Sequence, residues 1–475
     1  MYYQLIDNIR NKSWFFIIIG VLLALLANFL GAVDRSYLIL FIGFLIGLLL
    51  LVVVIYNPVY AIVINWSSSF VLGFIVYIVL QITSVPLGII FEIVNFLGLV
   101  VLLLRQELKG LNTLTGKLFL LWLLVCCIEL INPLASSRVA WFFAIRQLLF
   151  IIVPFFVIYS VLLTNKNSLR ILFTTWISFS VLAAIYTIYQ EFFGIPSWNF
   201  EPFARNEKLM SLIVTFGRIR KMSFFDGPMT NGMTLAFNAV ICMGMAFQKN
   251  FRRGNQVSLL VAGLLSAWAM TYTGTRTASV LFVFGMAIYI LLNRNKGLIA
   301  GSSIVGVLLM AYISVTGGGA ALHVMTTAFN PDDDPSMIVR YNNQVMLRSY
   351  IFRSPIGFGM GSTGSLGSRF SPYTFLGSFP PDSELVRIVI ETGLLGLGIY
   401  LFMMFSFLRK ALDTLSNNTG DSYKNLKMIS VAVLFMFLLG QYPQELLNVL
   451  PLKVLFAFFL AFISLKEEEM KKLEF

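Results

Sequence analysis

Histidine and cysteine are nearly missing from these 475 residues: His323 is the only histidine, and the cysteines are Cys126, Cys127 and Cys242. A single histidine excludes a histidine-based metal cluster. The cysteines all lie inside apolar runs, where they read as small buried hydrophobes rather than a disulfide framework. Charge is scarce as well, at 12% of residues, against about 25% in soluble domains. That deficit excludes a soluble globular protein and a disordered chain. Walker A and Cys–x–x–Cys patterns are absent, so no cofactor is expected and neither ATP hydrolysis nor redox chemistry is indicated.

What is there is apolar. Hydrophobic residues make up 58% of the chain, phenylalanine alone contributes 45, and mean hydropathy is +0.85. The runs are continuously apolar, without the alternation of barrel strands. They predict an all-α polytopic membrane protein of about 12–14 transmembrane helices. The candidates lie near 14–31, 37–56, 59–81, 86–104, 117–131, 140–163, 169–193, 230–248, 257–272, 276–292, 298–315, 385–408, 428–441 and 447–465.

The net charge is +12. Most lysines and arginines sit in short breaks between apolar runs, as membrane topology requires, so the excess indicates a bilayer and not nucleic acid. With the N-terminus inside, the cytoplasmic breaks hold most of the Lys and Arg, while the short outer loops hold only Arg35, Arg138 and Arg276. Both termini are then cytoplasmic. The expected organisation is N-terminal spans over 1–193, a first outer loop over 194–229, central spans over 230–315, a large outer loop over 316–384, and C-terminal spans with a tail over 385–475. A gap of ~70 residues far exceeds an ordinary connection, and such gaps are usually functional. Its mixed composition predicts ordered structure with short helices.

Chemistry-bearing residues gather near these outer segments. Arg276 closes TYTGTR at the start of a span. Its rigid donor fork suits a phosphate or diphosphate at the membrane surface, although an interface anchor would occupy the same place. Arg340, Gln344 and Arg348 recur every four residues and share one helical face. The glycine-rich stretch after Pro355 is either a loop or an anion nest. Arg218, Arg220 and Lys221 precede FFDGPMTNG, a stretch that would either hold a sugar phosphate or face lipid head groups. Arg146, two turns inside a span, needs a partner such as Glu129 or an anionic ligand. Asp382 follows two prolines and reads either as a helix N-cap or as a carboxylate able to take a proton from a hydroxyl. Glu384 is the neighbouring alternative. Glu391 lies deeper, where an ionisable group reads either as functional or, by spacing, as a partner of Arg387. The Asp332–Asp334 triplet, flanked by prolines, reads as a solvated turn in preference to a metal site.

The combination resembles the bacterial O-antigen polymerase and O-antigen ligase superfamily of polytopic membrane glycosyltransferases. Four parts carry the likeness: Phe225–Gly232 opening a span, TGTR ending at Arg276, Arg340 opening a helix that leads to Pro355, Gly357 and Gly359, and ETGLLGLG at 391–398. Together they cover roughly 216–410. The resemblance implies a GT-C-like fold in the bacterial cytoplasmic membrane. Its implied substrate is an oligosaccharide on a polyprenyl diphosphate, with a chain-length regulator and a flippase as companions. It implies metal-independent, inverting transfer in which Arg276 and Arg340 hold the diphosphate. The ligase branch carries a histidine before the last motif helix, where this chain has Pro380-Pro381-Asp382. That departure favours repeat-unit polymerisation, with Asp382 or Glu384 as base. Ligase-type transfer to a lipid or protein acceptor is the alternative within the family. A lipid-linked sugar flippase is the alternative outside it, though it would distribute charge along a central cavity.

Overall fold

A computed structural model describes residues 35–73, 88–104, 109–163, 166–205, 210–248, 251–293, 335–416 and 421–465, except 57, 212, 216 and 217, together with 23, 24, 26, 29 and 31. His323, the Asp332–Asp334 triplet and the expected span 298–315 lie outside the described residues, as does most of 14–31.

The described chain is helical. Helices α1 (Arg35–Tyr56), α2 (Pro58–Gly73), α3 (Gly88–Leu104) and α4 (Leu114–Ile128) lead to α5 (Arg138–Leu162), which carries a π-helical turn at Leu148–Ile152. Next come α6 (Lys166–Phe193), the short α7 (Ser197–Ala204) and a two-residue hairpin of β1 (Val214–Thr215) and β2 (Arg218–Ile219). Then follow α8 (Pro228–Ala246), α9 (Arg253–Thr271) and α10 (Arg276–Asn293). The large loop contributes α11 (Pro335–Arg353), α12 (Gly364–Phe370) and α13 (Phe375–Ser378), and the chain closes with α14 (Glu384–Ser416), α15 (Asp421–Gly440) and α16 (Leu450–Ser464). Among the described residues, six helices are long and apolar enough to cross a membrane: α4, α5, α6, α8, α10 and α14. The other described spans expected from the sequence also fall on helices, several of them shorter or less apolar.

Helices α8 and α16 are buried on nearly every side. Helices buried all round belong at the centre of a bundle, and these two form the axis around which α5, α9, α10, α14 and α15 pack.

Hydrogen bonds define the two ends of the bundle. At one end the Gly244 carbonyl accepts from Tyr289 Oη (3.0 Å) and Asn425 Nδ2 (2.9 Å), joining the C-termini of α8 and α10 to the start of α15. Because α15 and α16 run antiparallel through a short connection, the Ser464 carbonyl, which accepts from Lys410 Nζ (2.9 Å), belongs to that same end. At the other end Leu281, about one and a half turns below Arg276, packs on Gly440, and the Gln441 carbonyl accepts from the Glu384 amide at 3.0 Å. The N-termini of α10 and α14 therefore share an end with the 441–449 connection.

A break in α14 shapes that end. Gly393 has φ +70° and ψ −177°, which interrupts the helical ladder. The carbonyls of Ile390 and Glu391 accept instead from the amides of Phe358 (2.8 Å) and Gly359 (3.0 Å), and the Leu395 amide donates to Pro355 O at 3.3 Å. Orphaned backbone groups at membrane depth must find protein partners, and the 355–359 turn supplies them. The turn itself needs glycine: Gly357 has φ +77°, and a Cβ there would lie 2.5 Å from the Glu391 carbonyl. Asn132 Nδ2 reaches the carbonyls of Ile356 and Gly357, each at 3.2 Å, so the α4–α5 corner supports the turn from its other side.

Alanine at Gly357 or Gly393 would meet both left-handed backbone and backbone atoms, so each should cost several-fold more than the ~1 kcal/mol usual for a glycine's conformational freedom. Thermal melts of detergent-solubilised Gly357→Ala and Gly393→Ala should show early unfolding. Gly398→Ala, on the same helix where a Cβ would meet nothing within 4 Å, should melt like the parent.

Candidate functional site

The TGTR turn and the Phe225–Gly232 element form one joint. Gly274 sits at φ +60°, and the Arg220 stem lies across it, with Nε donating to Thr273 O (2.9 Å) and a terminal nitrogen donating to Thr275 Oγ1 (2.9 Å). Thr275 Oγ1 in turn donates to Pro228 O at 3.1 Å. Gly232 leaves room for this, since a Cβ there would lie 2.5 Å from Thr273 Oγ1. Arg220 is therefore brought beside Arg276, which opens α10 half-buried. A buried polar knot fixes the segment that carries Arg220: Ser223, at φ +55°, pairs its amide with Gln190 Oε1 (2.9 Å), and Asn231 Nδ2 reaches Lys221 O (3.2 Å). Arg218 lies on β2, and its side chain is outside the described residues.

Helix α11 packs through Leu347 against Ile390 and Leu376. Arg348 is exposed, with its guanidinium 5.9 Å from the Phe352 ring centroid. Arg340 lies on the same helix, with its side chain outside the described residues. Asp382 has φ +51°, an uncommon conformation that Asp tolerates better than most residues. The helix cap is one residue later than the sequence suggests: Ser383 Oγ accepts from the Val386 amide at 3.3 Å. The Asp382 carboxylate instead accepts from Asn343 Nδ2 of α11 at 2.8 Å.

Glu384 is occupied differently. It is buried, pairs with Arg387, and accepts from the Leu447 amide at 3.3 Å. Arg387 also reaches Asn448 Oδ1 (3.1 Å) and lies 3.8 Å from Glu445. Burial holds the Glu445 carboxyl above the usual carboxylate range, an effect that Arg387 offsets only in part. The expected Glu391–Arg387 pairing gives way to another arrangement: Glu391 Oε1 accepts the Gly361 amide at 3.0 Å, clamping the glycine-rich turn. Glu384, Arg387 and Glu391 line a cavity of about 90 Å³ with Gln147 of α5 and Lys453 of α16, whose Nζ donates to Gln147 Oε1 at 2.7 Å. That space suits a few waters, not a sugar ring.

Arg146 has a protein partner other than the one its sequence neighbourhood suggests: Glu92 of α3, at 3.0 Å. Glu129 is taken by Asn132 Nδ2 at 2.7 Å. The Arg146 guanidinium also lies 5.1 Å from the Phe143 ring centroid, and Arg369 of α12 lies 5.5 Å from it. Sequence reasoning passes over Arg369, Lys453 and Glu92. Lys453 and Glu92 each interrupt an apolar run, and the cost of intramembrane charge is the signal that could have found them.

Fold and site thus define a polytopic α-helical membrane protein, with one two-residue hairpin, whose motif elements converge at one end of the bundle. Residues 261–401, from within α9 through TGTR and the outer-loop turn into α14, match the O-antigen ligase family. The match supports the O-antigen ligase and polymerase superfamily that the motifs resemble. No curated protein matches the chain.

If the Glu92–Arg146 pair is structural, neutralising either partner strands the other. Glu92→Gln and Arg146→Gln should each cost roughly 1–3 kcal/mol, less than for a fully buried pair, because solvent reaches part of Arg146. The double variant should recover part of the loss in a thermal double-mutant cycle. Strict additivity would show that the two side chains do not support each other.

Proposed function

We propose that this chain is a glycosyltransferase that polymerises polyprenyl-diphosphate-linked oligosaccharide repeat units at the outer face of the bacterial cytoplasmic membrane. The observation that carries the reading is the convergence at one bundle end of Arg220 and Arg276 in the TGTR joint with the Asp382 end of the family-matched loop. Transfer breaks the anomeric C–O bond of the donor, and its electrons pass to the diphosphate. Arg276 and Arg340 hold that leaving group, with Arg220 ordering the turn and Arg348 adding positive field. Charge placed where it develops lowers the barrier without proton bookkeeping. An acceptor hydroxyl oxygen forms the new bond at the opposite face, inverting the centre, and its proton passes to Asp382. Glu384, already paired with Arg387, supports the site and does not act as base. A polymerase is favoured over a ligase because this carboxylate stands where the ligase branch carries histidine. A chain-length regulator and a flippase fit as partners, since the product grows and its substrate must reach the outer leaflet.

Purified protein with lipid-linked repeat unit should extend the glycan without nucleotide or ion gradient. Arg276→Ala and Arg340→Ala should abolish extension, and Lys should restore it only in part, lacking the bidentate fork. Asp382→Asn keeps a side-chain oxygen for Asn343 and tolerates the backbone, so it should fold normally yet lose ~10²–10⁴ in rate. Full extension by Arg276→Ala would end the diphosphate assignment. Transfer of only one glycan to a separate lipid acceptor would identify a ligase.

The proposed orientation puts the Arg276 end outside and both termini in the cytoplasm, following the Lys and Arg distribution. A cysteine at exposed Ser368 should react with an impermeant thiol reagent in intact spheroplasts, and one at Lys424 should react only after lysis. The reverse pattern would invert the protein.

A further inference from the structure

At the bundle end opposite Arg276, α6 and α9 line an open cleft of about 780 Å³. Clefts of ~300–1,000 Å³ are the size that holds ligands. Its position is fixed by Met245 and Phe251, which line it beside the Gly244 junction. Arg170 stands in the first turns of α6 and Arg252 caps α9. Both are exposed on the cleft, and neither guanidinium has an ion-pair or side-chain hydrogen-bond partner among the described residues. Deeper along α6, Phe173 and Ile177 recur at helical spacing on the same face, and Leu259 faces them from α9. The cleft is therefore cationic at the helix ends and largely apolar within.

We propose that this cleft seats one anionic phospholipid of the surrounding bilayer, its phosphate between Arg170 and Arg252 and an acyl chain along Phe173, Ile177 and Leu259. Charge complementarity selects the head group: guanidinium forks bind phosphate oxygens bidentately, and basic pockets between membrane helices favour anionic lipids. The apolar wall selects an amphiphile over free phosphate. Helices α6 and α9 both pack on α8, so a lipid here would brace the bundle. This reading does not depend on the glycosyltransferase proposal.

The test uses delipidated full-length protein in maltoside detergent. Phosphatidylglycerol should raise the melting temperature by several degrees, saturating at one lipid per chain by native mass spectrometry. Phosphatidylcholine and inorganic phosphate should shift it little. Arg170→Gln with Arg252→Gln should weaken phosphatidylglycerol binding roughly tenfold or more. Thr174→Trp, an exposed cleft position, should block binding while leaving the arginines in place. An equal response to phosphatidylcholine, a response to phosphate alone, or unchanged phosphatidylglycerol binding in both variants would overturn the assignment.

Discussion

The interrupted helix at Gly393 is the constraint on which the proposed catalytic end depends. A helix broken within an apolar span exposes carbonyls and amides that lipid cannot satisfy. Here the break is filled from outside the helix: Phe358 and Gly359 donate to Ile390 and Glu391, and Pro355 accepts from Leu395. Glu391 adds its side chain to the Gly361 amide. The large loop is thus stitched into α14 by its backbone, and its position no longer relies on its own small core. Asn132 completes the joint from the N-terminal half. The chain outside the recognised motifs consequently takes part in building the candidate site.

Arg387, Lys453 and Arg146 are each held by protein groups: Glu384 and Glu445, Gln147, and Glu92 respectively. Cations this far inside the protein, Lys453 buried and the two arginines half-buried, would be costly without such partners. These three belong to the framework under the outer loop, where they tie α3, α5, α14 and α16 together. Arg348 and Arg369 differ, resting on aromatic rings with their guanidinium groups exposed. An anion would meet less competition at exposed arginines than at cations already held by protein partners.

The helical membrane architecture was legible because lipid leaves few alternatives to a continuous helix, and span-length apolar runs such as those of α5, α6 and α14 report it directly. The motif elements were legible one by one, but their joining was not. Nothing in the spacing of Gly232 and Thr275 says that one is cut away to admit the other, since the two are far apart in sequence and meet only through packing. The partner of Arg146 was hidden for the same reason: Glu92 is 54 positions upstream (146 − 92). Local spacing also misassigned the cap, because both Asp382 and Ser383 are good N-cap residues and the choice depends on a left-handed backbone at Asp382 that the sequence does not announce.

That one-residue shift bears on mechanism. A carboxylate spent on capping would be tied to its own helix and turned toward backbone amides. With Ser383 capping, Asp382 instead reaches α11 and holds Asn343, on the helix that also bears Arg340 and Arg348. In the proposed reaction the proton acceptor stands near the cations that hold the leaving group yet is not neutralised by one. Glu384 fails the second condition through Arg387, and Glu391 is committed to Gly361 inside the joint. Asp382 meets it: its described side-chain partner is a neutral amide, and it remains partly open to solvent. Of the three carboxylates gathered at the head of α14, it is the one whose described contacts fit the base proposed for the transfer.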